Sequence, residues 1–305
     1  MPEPGPNQIR VRVRASGLNR ADLIQRRGSY PAPEGYPPDI PGLEYAGEVD
    51  AVGPGAGLWD AGSRVMGIVG GGAHAEYLCV NEREAMRVPH ALSWEEAAAI
   101  PEAFLTAYDA LFRQLDVQMG ERLLIHAVGS GVGTAAVQLA RIAAVTTLGT
   151  SRTAEKLQKA RDLGLDVGIG ASEGGWVTRV EQETDGEGVT AVLDLVGGSY
   201  FADSLRVLAS RGRIILVGTI GGAKADLDLG LVLRKRLHIL GTVLRSRPPE
   251  EKIALAREFS DHVLPLFSAG RIRPVVDRVF PFAEIRAAHG YMEKNQTFGK
   301  IVLTW

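Results

Sequence analysis

Near the start of the chain, apolar and polar residues alternate strictly. In "IRVRVRA" every second residue is apolar and those between are Arg, the two-residue period of a half-buried strand. Three more strand-like runs, "GLEYAGEVDAVG", "SRVMGIV" and "HAEYLCV", follow, with the turn-rich stretches "YPAPEGYPPDIPG" and "GPGAG" among them. The pattern predicts a small, irregular, mostly antiparallel β region over about residues 1–98. From Ser93 the period changes to that of a helix. "SWEEAAAIPEAFLTAYDALFRQL" opens on the capping pair Ser93 and Glu96 and is interrupted by Pro101.

Beyond it, strands apolar on both faces alternate with amphipathic helices. "RLLIHAV" precedes helix "GTAAVQLARIA", and "VTTLGTS" precedes "TAEKLQKARDLG". "VGIG", helix "GWVTRVEQET", "GVTAVLDLVG", helix "SYFADSLRVLA" and "GRIILVGT" continue the series. Such alternation predicts a doubly wound parallel sheet, an α/β fold. After about Leu244 come a helix over "PEEKIALAREFSDHVLPLFSAG", the stretch "VVDRVFPFAEIRAAHGYMEK" and a closing strand "GKIVLTW".

Composition narrows the function classes. A chain of 305 residues is long enough for two domains, and a net charge of −2 offers no basic field for nucleic acid or an anionic membrane. One cysteine, Cys79, rules out a disulfide framework or a thiolate zinc site within the chain. Its place in "AEYLCV" predicts a core position, and the lack of disulfides suits a reducing cytoplasm. The opening "MPEPGPNQIRVRVRA" reads as neither signal peptide nor anchor. Residues 123–140 carry no Asp, Glu, Lys or Arg, yet Gly129, Gly131, Gly133, His126, Ser130 and Gln138 would be costly in lipid.

That stretch reads instead as strand, turn and helix. Gly129-Ser130-Gly131-Val132-Gly133 lets the backbone approach a pyrophosphate, and the helix N–H groups behind it hold negative charge. At the first crossover of a β/α series this predicts dinucleotide binding. Val128 breaks a Gly-x-Ser-x-Gly elbow, which removes Ser130 from consideration as a hydrolase nucleophile. The next strand ends at Gly149-Thr150-Ser151-Arg152 with Lys156 a turn later, where an NAD site would place Asp or Glu. Ser151 leaves room for a 2′-phosphate and Arg152 with Lys156 supplies charge for it, favouring NADPH. Further contacts are expected at later strand ends: Val196-Gly197, Gly218-Thr219 and Leu244-Arg245.

The segment "SGLNRADLIQRRGSY" admits an exposed helix start, a metal site or a pocket wall. Together with "PGLEYAGEV", "AAAIPEAFLTAYDAL", "GSGVGTAAVQLAR", "LDLVGGSYF", "VLRSR" and "FGKIVL" it resembles the medium-chain dehydrogenase/reductase superfamily, in its zinc-free quinone oxidoreductase branch. The resemblance implies a Rossmann domain over 99–243 and a GroES-like catalytic domain over 1–98, completed by 244–305. Zinc-bearing members have Cys where Asn19 stands and His where Leu43 stands, so no metal site is expected. The family's usual first strand is absent or shortened, and a Tyr often found beside the adenine ribose is replaced by Ala171 or a neighbour.

The resemblance further places Asn19 and Tyr30 at the substrate pocket in the domain cleft, with Tyr36 a looser candidate. Asn19 either donates its amide to the acceptor oxygen or caps a helix; Tyr30 either donates a proton, stacks on a flat ring, or packs a loop. Thr106 is implied beside the nicotinamide, and Asn295 and Lys300 beside the cofactor. Glu44 reads either as a carboxylate left over from behind a lost metal site or as hydrogen-bonded structure, the second being favoured. Without a Lewis acid the substrate must be easily reduced, so NADPH-dependent reduction of quinones is the expected activity. Reduction of alkenals, enones or enoyl thioesters is the alternative, and an NADPH-binding structural or regulatory protein is another. The apolar run Leu237–Leu244 is a sticky sheet edge that in this family pairs with its twin, which implies a homodimer.

Overall fold

The alternating run becomes β1 (Gln8–Leu18), with Ile9, Val11, Val13 and Ala15 buried and Arg12 exposed between them. This computed structural model describes residues 1–171 and 174–305. After β1 come α1 (Arg20–Arg26), β2 (Glu44–Val52), β3 (Arg64–Ile68), β4 (Tyr77–Asn81), β5 (Met86–Arg87), α2 (Trp94–Ala98) and α3 (Pro101–Tyr108). Ser93 and Glu96 close the expected capping box at 2.9 and 3.2 Å, and α3 starts at Pro101, whose missing N–H costs nothing at a first helical position.

The series from residue 122 becomes β6 (Arg122–Ile125), α4 (Gly131–Ile142), β7 (Thr146–Ser151), α5 (Ala154–Asp162), β8 (Val167–Gly170), α6 (Trp176–Glu183), β9 (Val189–Asp194), α7 (Phe201–Val207), β10 (Leu208–Leu216), α8 (Leu229–Lys235) and β11 (His238–Gly241). The tail forms α9 (Pro249–His262), α10 (Leu264–Ser268), β12 (Val276–Pro281), α11 (Ile285–Glu293) and β13 (Lys300–Thr304). The chain divides into two units: Met1–Leu105 with Leu244–Trp305, and Thr106–Val243.

In the first unit the strands run β12-β13-β1-β2-β3-β5, and β4 also pairs with β1. All these pairs are antiparallel except β12 with β13. One side packs Ile9, Val11, Tyr45, Val49, Val65, Leu78 and Val80; a second cluster joins Leu18 and Leu23 to Met292, Ile301 and Leu303. Cys79 corrects its expected place. Leu78 and Val80 take the core positions of β4, so Cys79 falls on the opposite, half-buried face beside Arg10. The long helix expected over 249–270 is also corrected: it breaks into α9 and α10, because Pro265 lacks the N–H a continuous helix needs and crowds the preceding turn.

The second unit is a parallel sheet in the order β11-β10-β9-β6-β7-β8. Strand order reverses at β6 and β9, the switch point where ligands of doubly wound sheets collect. Leu124, Leu148, Ile169, Val192 and Ile214 meet Trp176, Val180, Phe201 and Leu205 in its core. The strand expected over 237–244 is shorter, His238–Gly241. It lies at the sheet edge with Ile239 exposed, and beyond it Thr242 N–H bonds back to the Leu216 carbonyl at 3.0 Å.

His126, fully buried after β6, lies 3.0 Å from Thr150 Oγ1 and 2.8 Å from Ser204 Oγ, edge-on to the rings of Trp176 and Tyr200. Burial pushes its pKa down to about 3. The ring stays neutral when folded but charges in the unfolded chain, so acid favours unfolding. Stability falls as pH drops below the ordinary histidine value, by about 2 kcal/mol between pH 6.5 and 5. In urea unfolding, His126→Gln is expected to lose about that much less stability than wild type over the same interval. An identical pH dependence in the two proteins would refute a neutral buried ring.

Candidate functional site

In the first unit the site grows from strand register. Leu18 of β1 lies opposite Ile301 of β13, which sets Lys300 beside the end of β1. Lys300 is 5% exposed; its Nζ lies 2.5 Å from Glu44 Oε1, 2.6 Å from Asn19 Oδ1 and 3.1 Å from the Leu18 carbonyl. Three ammonium protons thus meet three acceptors. Glu44, fully buried at the start of β2, also accepts the Asn19 amide on Oε1 (2.9 Å) and the Glu102 backbone N–H on Oε2 (2.8 Å). Only glycine fits at position 17: a Cβ there would stand 2.1 Å from Glu44 Oε1 and 2.8 Å from the Ala98 carbonyl.

The opening segment is both a helix start and a wall of this cluster. Asn19 precedes α1, and its backbone N–H donates to Asp22 Oδ2 (2.7 Å), while Asp22 Oδ1 accepts Gly42 N–H (2.9 Å). The second amide contact of Asn19, to the Gly17 carbonyl, is long at 3.4 Å. A zinc ion does not fit these donors. Asn19 and an ammonium stand around Glu44, Leu43 is a buried hydrocarbon, and no group of three or more His, Cys, Asp or Glu among the described residues could hold a metal.

Arg245 builds a second cluster. It is 6% exposed, donating to the Gly70 carbonyl (2.6 Å), the Tyr30 carbonyl (3.1 Å) and Gln25 Oε1 (2.5 Å), with its guanidinium 4.6 Å from the Tyr30 ring centre. Arg245 therefore serves protein acceptors where the sequence suggested a cofactor contact, and Leu244 beside it is buried. Tyr30 is half-buried; burial raises its phenol pKa and Arg245 works against that rise. The Tyr36 ring lies against Gly70, and its hydroxyl accepts a hydrogen bond from Lys252 at 3.0 Å. Asn295 accepts from Arg20, and Arg26 and Arg27 both pair with Glu293.

Glu102, in the first turn of α3, is the residue the sequence reading passed over. Its carboxyl is pushed up to about 8, first by burial and next by the charge of Glu44, with Asp22 adding and Lys300 and Arg245 opposing. The same carboxyl raises Tyr30. Groups of both clusters thus act on the Glu102 carboxyl electrostatically. A Glu inside the apolar run "AAAIPEAFL" was the available signal.

In the second unit, Ala127 takes a left-handed turn (φ 51°) after β6, and Ser130 caps α4 by accepting Gly133 N–H at 3.1 Å. A Cβ on Gly133 would meet the Val128 carbonyl at 2.6 Å, so only glycine lets α4 sit this close to the strand end. Gly129 is buried, while Ser130, Gly131 and Val132 are half-buried. Ser151 closes β7, and Arg152 beside it is exposed. Glu155 binds Lys159 (2.7 Å), and Lys156 is half-buried. After β9, Val196 and Gly197 N–H groups both bond Asp194 Oδ1 at 2.8 Å. Val217, next to Gly218 and the exposed Thr219, bonds the Asp194 carbonyl (2.9 Å), so these strand ends are tied together. Thr106 is buried in α3.

Ala171 donates its N–H to the Ser151 carbonyl at 2.9 Å; its neighbour Ser172 lies outside the described residues. Another aromatic ring of this unit was not singled out from the sequence. Tyr200 is half-buried and stacked on Trp176 (5.7 Å between centres), with Arg152 opposing the rise that burial gives its hydroxyl pKa.

Residues 5–90 match the alcohol dehydrogenase GroES-like domain and residues 131–261 the zinc-binding dehydrogenase family. The chain is 35% identical to a Pseudomonas aeruginosa quinone oxidoreductase over 305 residues, spanning 99% of this chain and 92% of that protein. The solved structure of Escherichia coli quinone oxidoreductase complexed with NADPH superposes with a TM-score of 0.89 at 31% identity, covering 100% of this chain and 94% of that one. CurK enoyl reductase does so with a TM-score of 0.88 at 29% identity, covering 100% and 92%.

Breaking a buried ion pair on one side leaves an uncompensated charge, at a cost of about 3–5 kcal/mol. Lys300→Met is expected to lose stability of that order in urea unfolding, and adding Glu44→Gln should recover most of it. A double variant as unstable as the single one would show that the pair is not the origin of the loss.

Proposed function

Because this chain belongs to the medium-chain dehydrogenase/reductase superfamily and is an oxidoreductase of that family, we propose that it reduces quinones with NADPH, without a metal ion. The observation that carries this reading is the glycine turn 129–133, set at the switch point of the parallel sheet with Arg152 at the end of the neighbouring strand.

The fit to a dinucleotide rests on backbone. Gly133 seats α4 against the strand end, and the first N–H groups of that helix have no partners within it, which suits a pyrophosphate at Gly129, Ser130, Gly131 and Val132. Ser151, Arg152 and Lys156 would hold the 2′-phosphate. Tyr200 offers an aromatic face beside Arg152, and Val196, Gly218, Thr219 and Thr106 would line the remainder. Nicotinamide, when bound, supplies a hydride.

The protein's own part is to orient the acceptor and meet its developing charge. Asn19 keeps one amide hydrogen on Glu44. The other makes only the long contact to Gly17, which an acceptor oxygen can replace. Tyr30, fixed by Arg245, presents a phenol and a flat ring. Arg245 holds Tyr30 and Lys300 holds Asn19 by their internal bonds, while Leu244 and Asn295 would line the cofactor side. With an ammonium rather than a Lewis acid at Glu44, an ordinary ketone would lack activation, so the substrate is a quinone or an enone. The likeness to CurK enoyl reductase supports the enone or enoyl-thioester reading as the second.

Among the described residues no helix is long and apolar enough to cross a membrane. We place the protein in the cytoplasm, where a lone half-buried thiol stays reduced. Strand β11, apolar and at the sheet edge, suits pairing with its twin in a homodimer.

NADPH and NADH oxidation with 1,4-benzoquinone, 1,2-naphthoquinone, an enone and an enoyl thioester, on metal-assayed protein, tests the reading. Quinone turnover should prefer NADPH and survive chelation. Turnover restored only by zinc, or none with any acceptor, would refute it. Arg152→Ala should raise the NADPH KM by about 10–100-fold, the loss of one charge-assisted contact worth 1.5–3 kcal/mol, with little change for NADH.

A further inference from the structure

Helix α9 carries a cation where its pattern calls for a hydrocarbon. Lys252 shares the buried face of Leu255, Ala256 and Phe259, at the three- and four-residue spacing of an apolar stripe, and is only 4% exposed. Its Nζ stands 2.7 Å from Glu84 Oε1 and donates to Tyr36 Oη at 3.0 Å. A buried ammonium adds little net stability over a hydrocarbon even when paired, but it fixes its partners sharply. Tyr36 is one of those partners.

Tyr36 belongs to residues 30–40, a stretch with neither helix nor strand. Pro31, Pro33, Pro37 and Pro38 have no N–H to bond, so side chains do much of the fastening. The bed under this strap is Gly70-Gly71-Gly72. A Cβ on Gly70 would stand 2.5 Å from the Tyr36 ring, and one on Gly72 would stand 3.3 Å from Pro37. The Gly72 N–H donates to the Ile40 carbonyl at 2.8 Å. Two buried cations from the C-terminal segment pin the strap down. Arg245 binds the carbonyls of Tyr30 (3.1 Å) and Gly70 (2.6 Å), and Lys252 binds the Tyr36 hydroxyl.

We propose that Lys252, acting through Tyr36, is a positioning residue that fixes this strap and so sets how large a flat acceptor the first unit takes. This inference rests on the reductase reading above, in which Tyr30 meets the acceptor. Held at both tyrosines, the strap is a rigid wall. Released at Tyr36, it keeps the Arg245 anchor and loses the one beyond it. A one-ring quinone needs the wall only at Tyr30, whereas a two-ring quinone extends along the strap and depends on both anchors.

Tyr36→Phe deletes the hydroxyl and leaves the ring on Gly70. In the cofactor-free protein, amide exchange followed by NMR should quicken about tenfold at Tyr36 and Gly72, the effect of losing one bond to a charged donor. With NADPH, kcat/KM for 1,2-naphthoquinone relative to 1,4-benzoquinone should fall by about the same factor. Lys252→Met combined with Glu84→Gln, which strands no charge, should reproduce both effects. Gly70→Ala, which pushes the ring off its bed and spares the ion pair, should do so if that double variant folds poorly. Unchanged exchange in Tyr36→Phe would show that Lys252 does not pin the strap. Faster exchange with an unchanged acceptor ratio would make the pin structural alone. Either result overturns the assignment and leaves the reductase reading standing. A wild type that oxidises NADPH with no acceptor overturns that reading and this role with it, even where the exchange difference is seen.

Discussion

A single buried ion pair organises the first unit. Lys300 and Glu44 stand 2.5 Å apart, away from water, and each would be very costly alone. Their joint satisfaction requires β13 to set Ile301 opposite Leu18, β2 to begin at Glu44, Gly17 to have no side chain, and α3 to aim the Glu102 N–H at the carboxylate. Asn19 completes the arrangement by donating to one member and accepting from the other. Such pairs add little net stability over a hydrocarbon core, but they define geometry sharply, because misplacement by an ångström strands a charge. A site that must hold an acceptor at a fixed distance and angle gains from that sharpness.

The two units solve different problems by different means. In the parallel unit the order is chiefly backbone work, with a helix start packed closely on a strand end. In the antiparallel unit it is side-chain work, with hydrogen bonds and charges linking segments 17–22, 42–44, 102 and 245 with 300. The two carboxyls of that unit stand in different surroundings. Glu44 accepts from three donors, whereas burial and the charge of Glu44 raise the carboxyl pKa of Glu102.

Periodicity carried the fold well. The "IRVRVRA" alternation, the strand–turn–helix at 123–140 and "VGIG" at 167–170 all reappear as elements, since these patterns reflect which side chains can leave water. It failed where one residue outweighs a period. Pro265 cuts a helix that amphipathicity alone would continue, and Cys79 lies on the outer phase of β4. The site was only partly legible. Asn19 and Tyr30 could be named from the segments carrying them, and Lys300 drew notice beside a cofactor. Their partners could not be seen, because Glu44 and Lys300 are 256 positions apart and only sheet register joins them. Glu102 was hidden for the same reason: its chemistry comes from neighbours on β2, β13 and α1, none adjacent in sequence.

The first unit is assembled from two stretches of chain separated by the whole of the second, and β13 lies between β12 and β1 in its sheet. Residues 106–243 are contiguous and can collapse as soon as they leave the ribosome, but the earlier strands must wait. Until residues 300–304 are made, β1 has an open flank and Glu44 has no counter-charge. During synthesis the contiguous parallel-sheet unit is therefore the earlier folding unit, and the unit built from both ends of the chain is the one exposed to chaperones and to misassembly.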